Sequence, residues 1–316
     1  MNSTSFWKSR RGRQTTVIIA FLLIPVGLLI LFTYFPFLKM VQFSFYNMKY
    51  IGARKFVGLR NYRQIFQRDD IIRTLLLSLY YMVGSVVQVF LALYLATVFC
   101  FKVKFENLWK GFIFFPYLIS GIAIGFIFKF FYTRGFVLDS VLMALGFNLD
   151  NLPYWLKDQA INNWSLVYSS VWRYLGSTMV LFLGAMMSVD NTLYEAAAID
   201  GANKWDIFWH IILPSIKTIV TLNVILSITG SLSAFEPPYV ITSGANGTAT
   251  FFVVMNDIAH TSQKVGLASA MAVFLLTIII IAKFLQDALF RFLFRNAGTD
   301  EKPQKKVRRA VLKRGV

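Results

Sequence analysis

Six stretches of the chain hold the roughly 20 mostly apolar residues needed to cross a hydrocarbon core about 30 Å thick. They run Thr15–Leu38, Leu75–Phe99, Leu108–Phe130, Ser165–Met187, Ser215–Tyr239 and Gly266–Phe290. The pattern predicts an all-α integral membrane protein with six transmembrane helices. Two of the runs are interrupted by polar groups: the fourth holds Arg173, and the fifth holds Asn223, several hydroxyls and Glu236. The segments Tyr132–Trp164 and Val240–Val265 are rich in Gly, Asn, Asp and Pro, which predicts loops with short helices.

Composition agrees with lipid as the solvent. Of the 316 residues 57% are hydrophobic and 15% charged, against about a quarter charged in soluble domains. The 32 phenylalanines, 14 tyrosines and 7 tryptophans suit interfacial aromatic belts. A net charge of +17 could point to nucleic acid, but the apolar runs exclude a soluble basic domain. Membrane lipid is the expected partner of the cations, and nucleic acid is not expected. An even number of spans puts both termini on one side, and the positive-inside rule selects the cytosol. The basic tails decide this against a conflicting cluster of eight cations between Lys39 and Arg73. The expected organisation is a cytosolic basic N-tail over 1–14, a six-span membrane domain over 15–290 and a cytosolic basic C-tail over 291–316. A basic start followed by a long apolar run, without a cleavage-like site, predicts that the first span is retained.

Reactive chemistry is not indicated. Cys100 is the single cysteine, and His210 and His260 stand too far apart for a recognisable metal motif. The sequence has no G-x-x-x-x-G-K-[ST] loop, no H-E-x-x-H and no G-x-S-x-G. Neither a catalytic residue nor a metal ligand is expected.

The segment 191–214 carries most information. Thr192 and Glu195 have the T-x-x-E spacing of a capping box, and Gly201 suits a left-handed stop. Asn203 can cap a second short helix with Asp206 in its first turn. Trp205, Phe208, Trp209 and Ile212 share one face at helical spacing, and Pro214 is tolerated where the next span begins. A helix–glycine–helix elbow results, and Ala196, Ala197 and Gly201 leave room for a close neighbour. The residues alone fit two roles equally: a lever contacted by another protein, or an amphipathic helix resting on lipid.

The same segment resembles the EAA loop of permease subunits in binding-protein-dependent ATP-binding-cassette importers. That pattern is E-A-A, three residues, G, nine residues, then I-x-L-P, and Glu195, Ala196, Ala197, Gly201, Ile211, Leu213 and Pro214 match it in spacing. Asp200 before the glycine resembles the D-G-A form of sugar permeases. The resemblance implies a coupling loop docked in a groove of a separate ATPase subunit, with Glu195 facing polar groups and Phe208 and Ile211 as packing anchors. Phe56-Val-Gly-Leu-Arg-Asn-Tyr62, Phe235–Thr242 and Gly266–Ala270 further resemble maltose-type and glycerol-3-phosphate-type first permeases, although Gly244-Ala245-Asn246 replaces their usual G-G-P. This implies a second permease subunit in a heterodimer, two ATPase subunits using ATP and Mg, and an extracytoplasmic solute-binding protein. The implied cargo is a sugar, an oligosaccharide in particular. The alternatives are a polyol or sugar phosphate and, from another class, an ion-gradient carrier, against which the absence of repeated halves and paired carboxylates speaks.

Polar groups inside lipid are costly and face a bundle interior or a wet cavity. Gln88, Arg173, Asn223, Ser227, Ser231 and Glu236 are therefore the candidate solute path. The stripe Asn223, Ser227, Gly230, Ser231 and Ala234 fits either a helix–helix seam or a path wall. Arg173 and Glu236 could pair between helices; alternatively Arg173 snorkels outward and Glu236 caps a loop.

Overall fold

The computed structural model describes residues 10–101 and 103–293, with side chains from residue 14 to residue 290. The remainder of the basic tails and Lys102 lie outside the described residues, so the tail assignments over 1–14 and 291–316 fall largely there. The elements are α1 (Arg10–Leu29), α2 (Phe35–Phe43), β1 (Tyr46–Asn47), β2 (Lys55–Phe56), α3 (Arg60–Gln67), α4 (Asp69–Cys100), α5 (Glu106–Leu118) and α6 (Gly121–Tyr132). They continue as α7 (Val137–Ala144), α8 (Asn162–Met187), α9 (Asn191–Ile199), α10 (Lys204–Ile207), α11 (Leu213–Leu232), α12 (Glu236–Val240), α13 (Phe251–His260) and α14 (Val265–Leu293). The one ladder among the described residues is β1 against β2, antiparallel, with Tyr46 opposite Phe56.

Four stretches are long and apolar enough to span: Gln14–Phe43, Asp69–Cys100, Lys204–Val240 and Val265–Phe290. They cover the first, second, fifth and sixth expected spans. The third is not one rod. It breaks between α5 and α6 with a bend of 99°, where Ser120 leaves the helix and its hydroxyl accepts from the Ala123 amide at 3.2 Å. The fourth, α8, has 26 residues, but Arg173 and its serines and asparagines keep it out of the apolar set. The fifth begins earlier than expected. α10, a π-helical stretch over Phe208–Ile212 and α11 run on without a gap, so Pro214 sits inside a continuous rod rather than at a fresh start.

The chain divides into two compact units. The first comprises 1–69 and 255–275. Here the F-V-G-L-x-N-Y element has a structural reason. Buried Asn61 donates to the carbonyls of Ser44 at 2.8 Å and Tyr46 at 3.0 Å, and the Tyr62 and Ser44 hydroxyls lie 2.7 Å apart. These bonds satisfy backbone groups where α2 ends and the chain reverses. The second unit, 70–254 and 276–316, holds two packed clusters. One joins Ala92 and Ala96 of α4, Met179, Phe182 and Met186 of α8, and Ile207, Ile212 and Ile216 on the α10–α11 rod. The other gathers Tyr81, Ile124, Phe128, Tyr132, Leu166, Val167 and Ile241.

Replacing Asn61 with alanine takes its donor from the buried Ser44 carbonyl and the partly buried Tyr46 carbonyl, which costs about 1–3 kcal/mol. Thermal unfolding of the purified chain in detergent should shift down for Asn61→Ala, while exposed Arg63→Ala leaves it unchanged.

Candidate functional site

Two features of the second unit concern function: the elbow over 191–214 and a cavity among α4, α5, α6, α8, α11 and α12.

The first elbow helix is capped by Asp190, not by Thr192. The Asp190 carboxylate accepts from the Thr192 amide at 3.0 Å, and this bond holds its pKa below the usual carboxylate value. The expected Thr192–Glu195 box therefore does not form, because α9 starts one residue before Thr192 and Asp190 already occupies the cap. The stop is as expected. Gly201 has φ +78°, and its amide donates to Ala198 O at 3.2 Å while the Ala202 amide donates to Ala197 O at 2.9 Å. This is a Schellman closure, which favours glycine at the left-handed position. The second cap also forms as expected: Asn203 Oδ1 accepts from the amides of Trp205 and Asp206 at 2.9 and 3.0 Å, and Asp206 answers the Asn203 amide at 3.2 Å.

The elbow is tied to the bundle from inside. The Tyr194 hydroxyl donates to Met186 O at 3.2 Å, and burial pushes its pKa up to about 12. Ala197, Phe208, Ile211 and Leu213 pack against the cluster of α4, α8 and α11. Phe208 and Ile211, expected as anchors in a partner's groove, are partly buried against the chain's own core and keep the rest of their surface exposed. Of the expected single face, Trp205, Phe208 and Trp209 do lie together, with ring centroids 6.0, 5.5 and 5.3 Å apart, whereas Ile212 departs from it and is buried. The reason is the π-helical stretch, which adds a residue per turn and rotates the register. What the elbow shows outward is Glu195, Ala196, Asp200, Leu193, Ile199 and Trp205, with Ile199 86% and Trp205 66% exposed. Ile199 was not singled out by the motif pattern; its signal is an apolar residue directly before the Asp-Gly stop. Glu195 forms no ion pair among the described residues.

The cavity has a volume of about 610 Å³ and is lined by all six candidate path residues, Gln88, Arg173, Asn223, Ser227, Ser231 and Glu236. Several also act as seams. Gln88 donates to Thr178 Oγ1 at 3.0 Å across α4 and α8, and Ser231 donates to Ser85 Oγ at 3.1 Å across α11 and α4. Asn223 Nδ2 is turned to Ile219 O at 3.0 Å on its own helix. Seam and wall are therefore both present in one stripe.

Arg173 and Glu236 form the interhelix ion pair, with side chains 16% and 43% exposed. The guanidinium also lies over the Tyr174 ring, 5.0 Å from its centroid. Glu236 opens α12 after the helical break at Ser233–Phe235. Its carboxylate seats against Gly121, the first residue of α6, where a Cβ would collide with it and with Arg173 Nη1. A helix N-terminus favours such a negative neighbour. Tyr81, Tyr117, Gly121 and Thr178 also line the cavity and were missed. The signal was available on α4, where Thr74, Ser78, Tyr81, Ser85 and Gln88 recur at three- and four-residue spacing. Among the described residues no group of His, Cys, Asp or Glu could hold a metal ion.

Because a Cβ at 121 meets the Glu236 carboxylate, Gly121→Ala and Glu236→Ala should be coupled. Thermal unfolding in detergent should show the double variant less destabilised than the sum of the two single losses. Additive losses would place the two residues out of contact.

Comparison with known proteins gives a consistent result. The family model described as "Binding-protein-dependent transport system inner membrane component" matches residues 88–295. The probable ABC transporter permease protein YurN of Bacillus subtilis is 31% identical over 286 residues, spanning 88% of this chain and 97% of that protein. The multiple sugar-binding transport system permease protein MsmF of Streptococcus mutans is 29% identical over 277 residues, spanning 85% of this chain and 93% of that protein. Among solved structures, a chain of a bacterial ABC transporter involved in import of the acidic polysaccharide alginate superposes with a TM-score of 0.74 at 19% identity. That match covers 88% of this chain and 96% of the other, and it shows a shared fold.

Proposed function

The chain belongs to the family of binding-protein-dependent transport system inner membrane components, and from that premise we propose that it passes a sugar, an oligosaccharide in particular, across the cytoplasmic membrane by alternating access. It is a permease subunit and not itself an enzyme. In this reading the energy comes from two separate ATPase subunits that use ATP and Mg, and solute is delivered by an extracytoplasmic binding protein. A second permease completes the membrane pore, α8 provides the fourth of six spans, and both termini are cytosolic. Sugar as the cargo is supported by the printed description of the relative MsmF and by a cavity wall of hydroxyl, amide and aromatic groups. An ion-gradient carrier does not accord with the family.

The observation that carries the reading is the path of one rod. The α10–α11 helix starts at the elbow, runs without interruption through Ile207, Ile212 and Ile216 in the core, and presents Asn223, Ser227 and Ser231 to the cavity. A push on the elbow must therefore be felt at the cavity wall, because a helix transmits axial and lateral displacement along its length. The exposed Leu193, Ile199 and Trp205 beside Glu195 supply the apolar surface on which an ATPase would grip. Once gripped, closure of the ATPase pair on ATP moves the elbow, and the walls shift between inward-open and outward-open arrangements. This chain contributes mechanics and a lined passage.

Two measurements test this. Gly201→Asp, which strains the left-handed stop and places a charge on the docking face, should abolish solute uptake while the protein remains in the membrane. Undiminished uptake with normal ATPase co-purification would remove the elbow from the coupling role. Replacing Asn223 and Ser227 together with leucine should lower uptake by about tenfold or more, as loss of hydrogen-bonding groups from a polar site does. Unchanged rate and solute preference would assign those residues to a packing seam alone.

A further inference from the structure

The cavity read above as the solute path also carries information about what it admits, and the following rests on that reading. Among its 27 lining residues only Arg173 and Glu236 are charged, and they are paired with each other. The wall is therefore electrically balanced. Two polar atoms of its lining residues are buried with no hydrogen-bond partner, the Tyr81 hydroxyl and Arg173 Nε, and both can donate. Beside them stand the Tyr117 and Tyr174 rings, with centroids 6.2 Å apart, and Phe235. Flat apolar faces next to unused donors suit a ring that carries hydroxyls at its edge and C–H groups on its faces.

We propose that this wall selects an uncharged glycoside, and that the Arg173–Glu236 pair is the determinant that excludes sugars bearing carboxylate or phosphate. An anionic sugar entering the cavity finds one counter-charge, Arg173, already held by Glu236. To use it, the solute must displace Glu236, leaving that carboxylate unpaired beside Gly121. Otherwise it must lie next to Glu236 with like charge. Either course disfavours the anionic solute relative to a neutral one. A cationic amino sugar meets the mirror problem at Arg173. A neutral glycoside leaves the pair whole, and its hydroxyls find uncharged partners among Gln88, Ser177, Thr178, Asn223 and Ser227 on the wall. Gly121 matters here as well, since only a residue without a Cβ lets Glu236 reach its seat.

The test bypasses the binding protein, whose own preference would mask that of the passage. The full chain, purified with the subunits that accompany it and placed in lipid nanodiscs, is probed by saturation-transfer NMR. Maltotriose and arabinotriose serve as neutral probes and trigalacturonate as the acidic one. A neutral probe should give a signal about tenfold or more above that of trigalacturonate. Glu236→Gln frees the Arg173 charge and should move that ratio toward trigalacturonate by about tenfold. The double variant Arg173→Gln with Glu236→Gln should return it to the neutral probes. Equal signals in the unaltered protein, or a ratio unmoved by Glu236→Gln, would overturn the charge selection and leave the path reading standing. Should Glu236→Gln fail to assemble, the comparison in the unaltered protein decides alone. Absence of signal from all three probes would instead overturn the path reading, and this inference with it.

Discussion

Inside lipid a backbone amide or carbonyl has no water to bond, so each must be satisfied within its own helix or against protein. That constraint explains the long unbroken rods, and it also gives meaning to the places where rods break. Two breaks occur in spans of the second unit, at Ile119–Ser120 and at Ser233–Phe235. Both adjoin the same cavity, and the residues just after them, Gly121 and Glu236, touch. Irregular backbone at such depth is tolerated where it lines a polar space. The breaks are what allow a carboxylate on one span to sit against the first turn of a helix on another and still reach Arg173 on a third. An ion pair at this position is weak evidence for stability, because desolvating both charges offsets most of their attraction. Its value lies in what it fixes: the approach of α6, α8 and α12 around the passage.

The elbow is governed by a second economy of hydrogen bonds. A Schellman closure at Gly201 and a reciprocal cap at Asn203 and Asp206 leave no loose residue between α9 and the rod that follows. Stiffness at the turn and continuity beyond it are the two properties a lever needs. The exposed Ile199 next to that turn is an apolar surface held out from the bundle by that stiffness.

The sequence made the elbow legible because caps and glycine stops are local chemistry. Gly201, Asn203 and Asp206 perform as their types and spacing predict. Asp190 was overlooked because a T-x-x-E match two residues on was the more conspicuous pattern. Ile212 leaves the face predicted with Trp205, Phe208 and Trp209 for a geometric reason: a π-helical stretch cannot be read from a 3.6-residue period, and it turned Ile212 into the core. The spans were legible by length and hydropathy, yet the bend within the third was not, since Ser120 in an apolar run gives little local warning. The Arg173–Glu236 pair was one of two readings left open. Only the tertiary arrangement, with Gly121 between them, could choose, because a contact across 63 positions in sequence has no local signature.

The claim at the centre of this account is that the elbow sets the shape of the cavity. Spin labels on two helices of the wall, at Tyr117 of α5 and Leu226 of α11 in a chain with Cys100 replaced by serine, allow the distance between them to be followed by pulsed electron resonance in the assembled importer. Addition of a non-hydrolysable ATP analogue should shift that distance distribution by several ångströms, and Gly201→Asp should suppress the shift. A distribution that ignores the nucleotide, or one that still responds when the elbow is broken, would contradict the account.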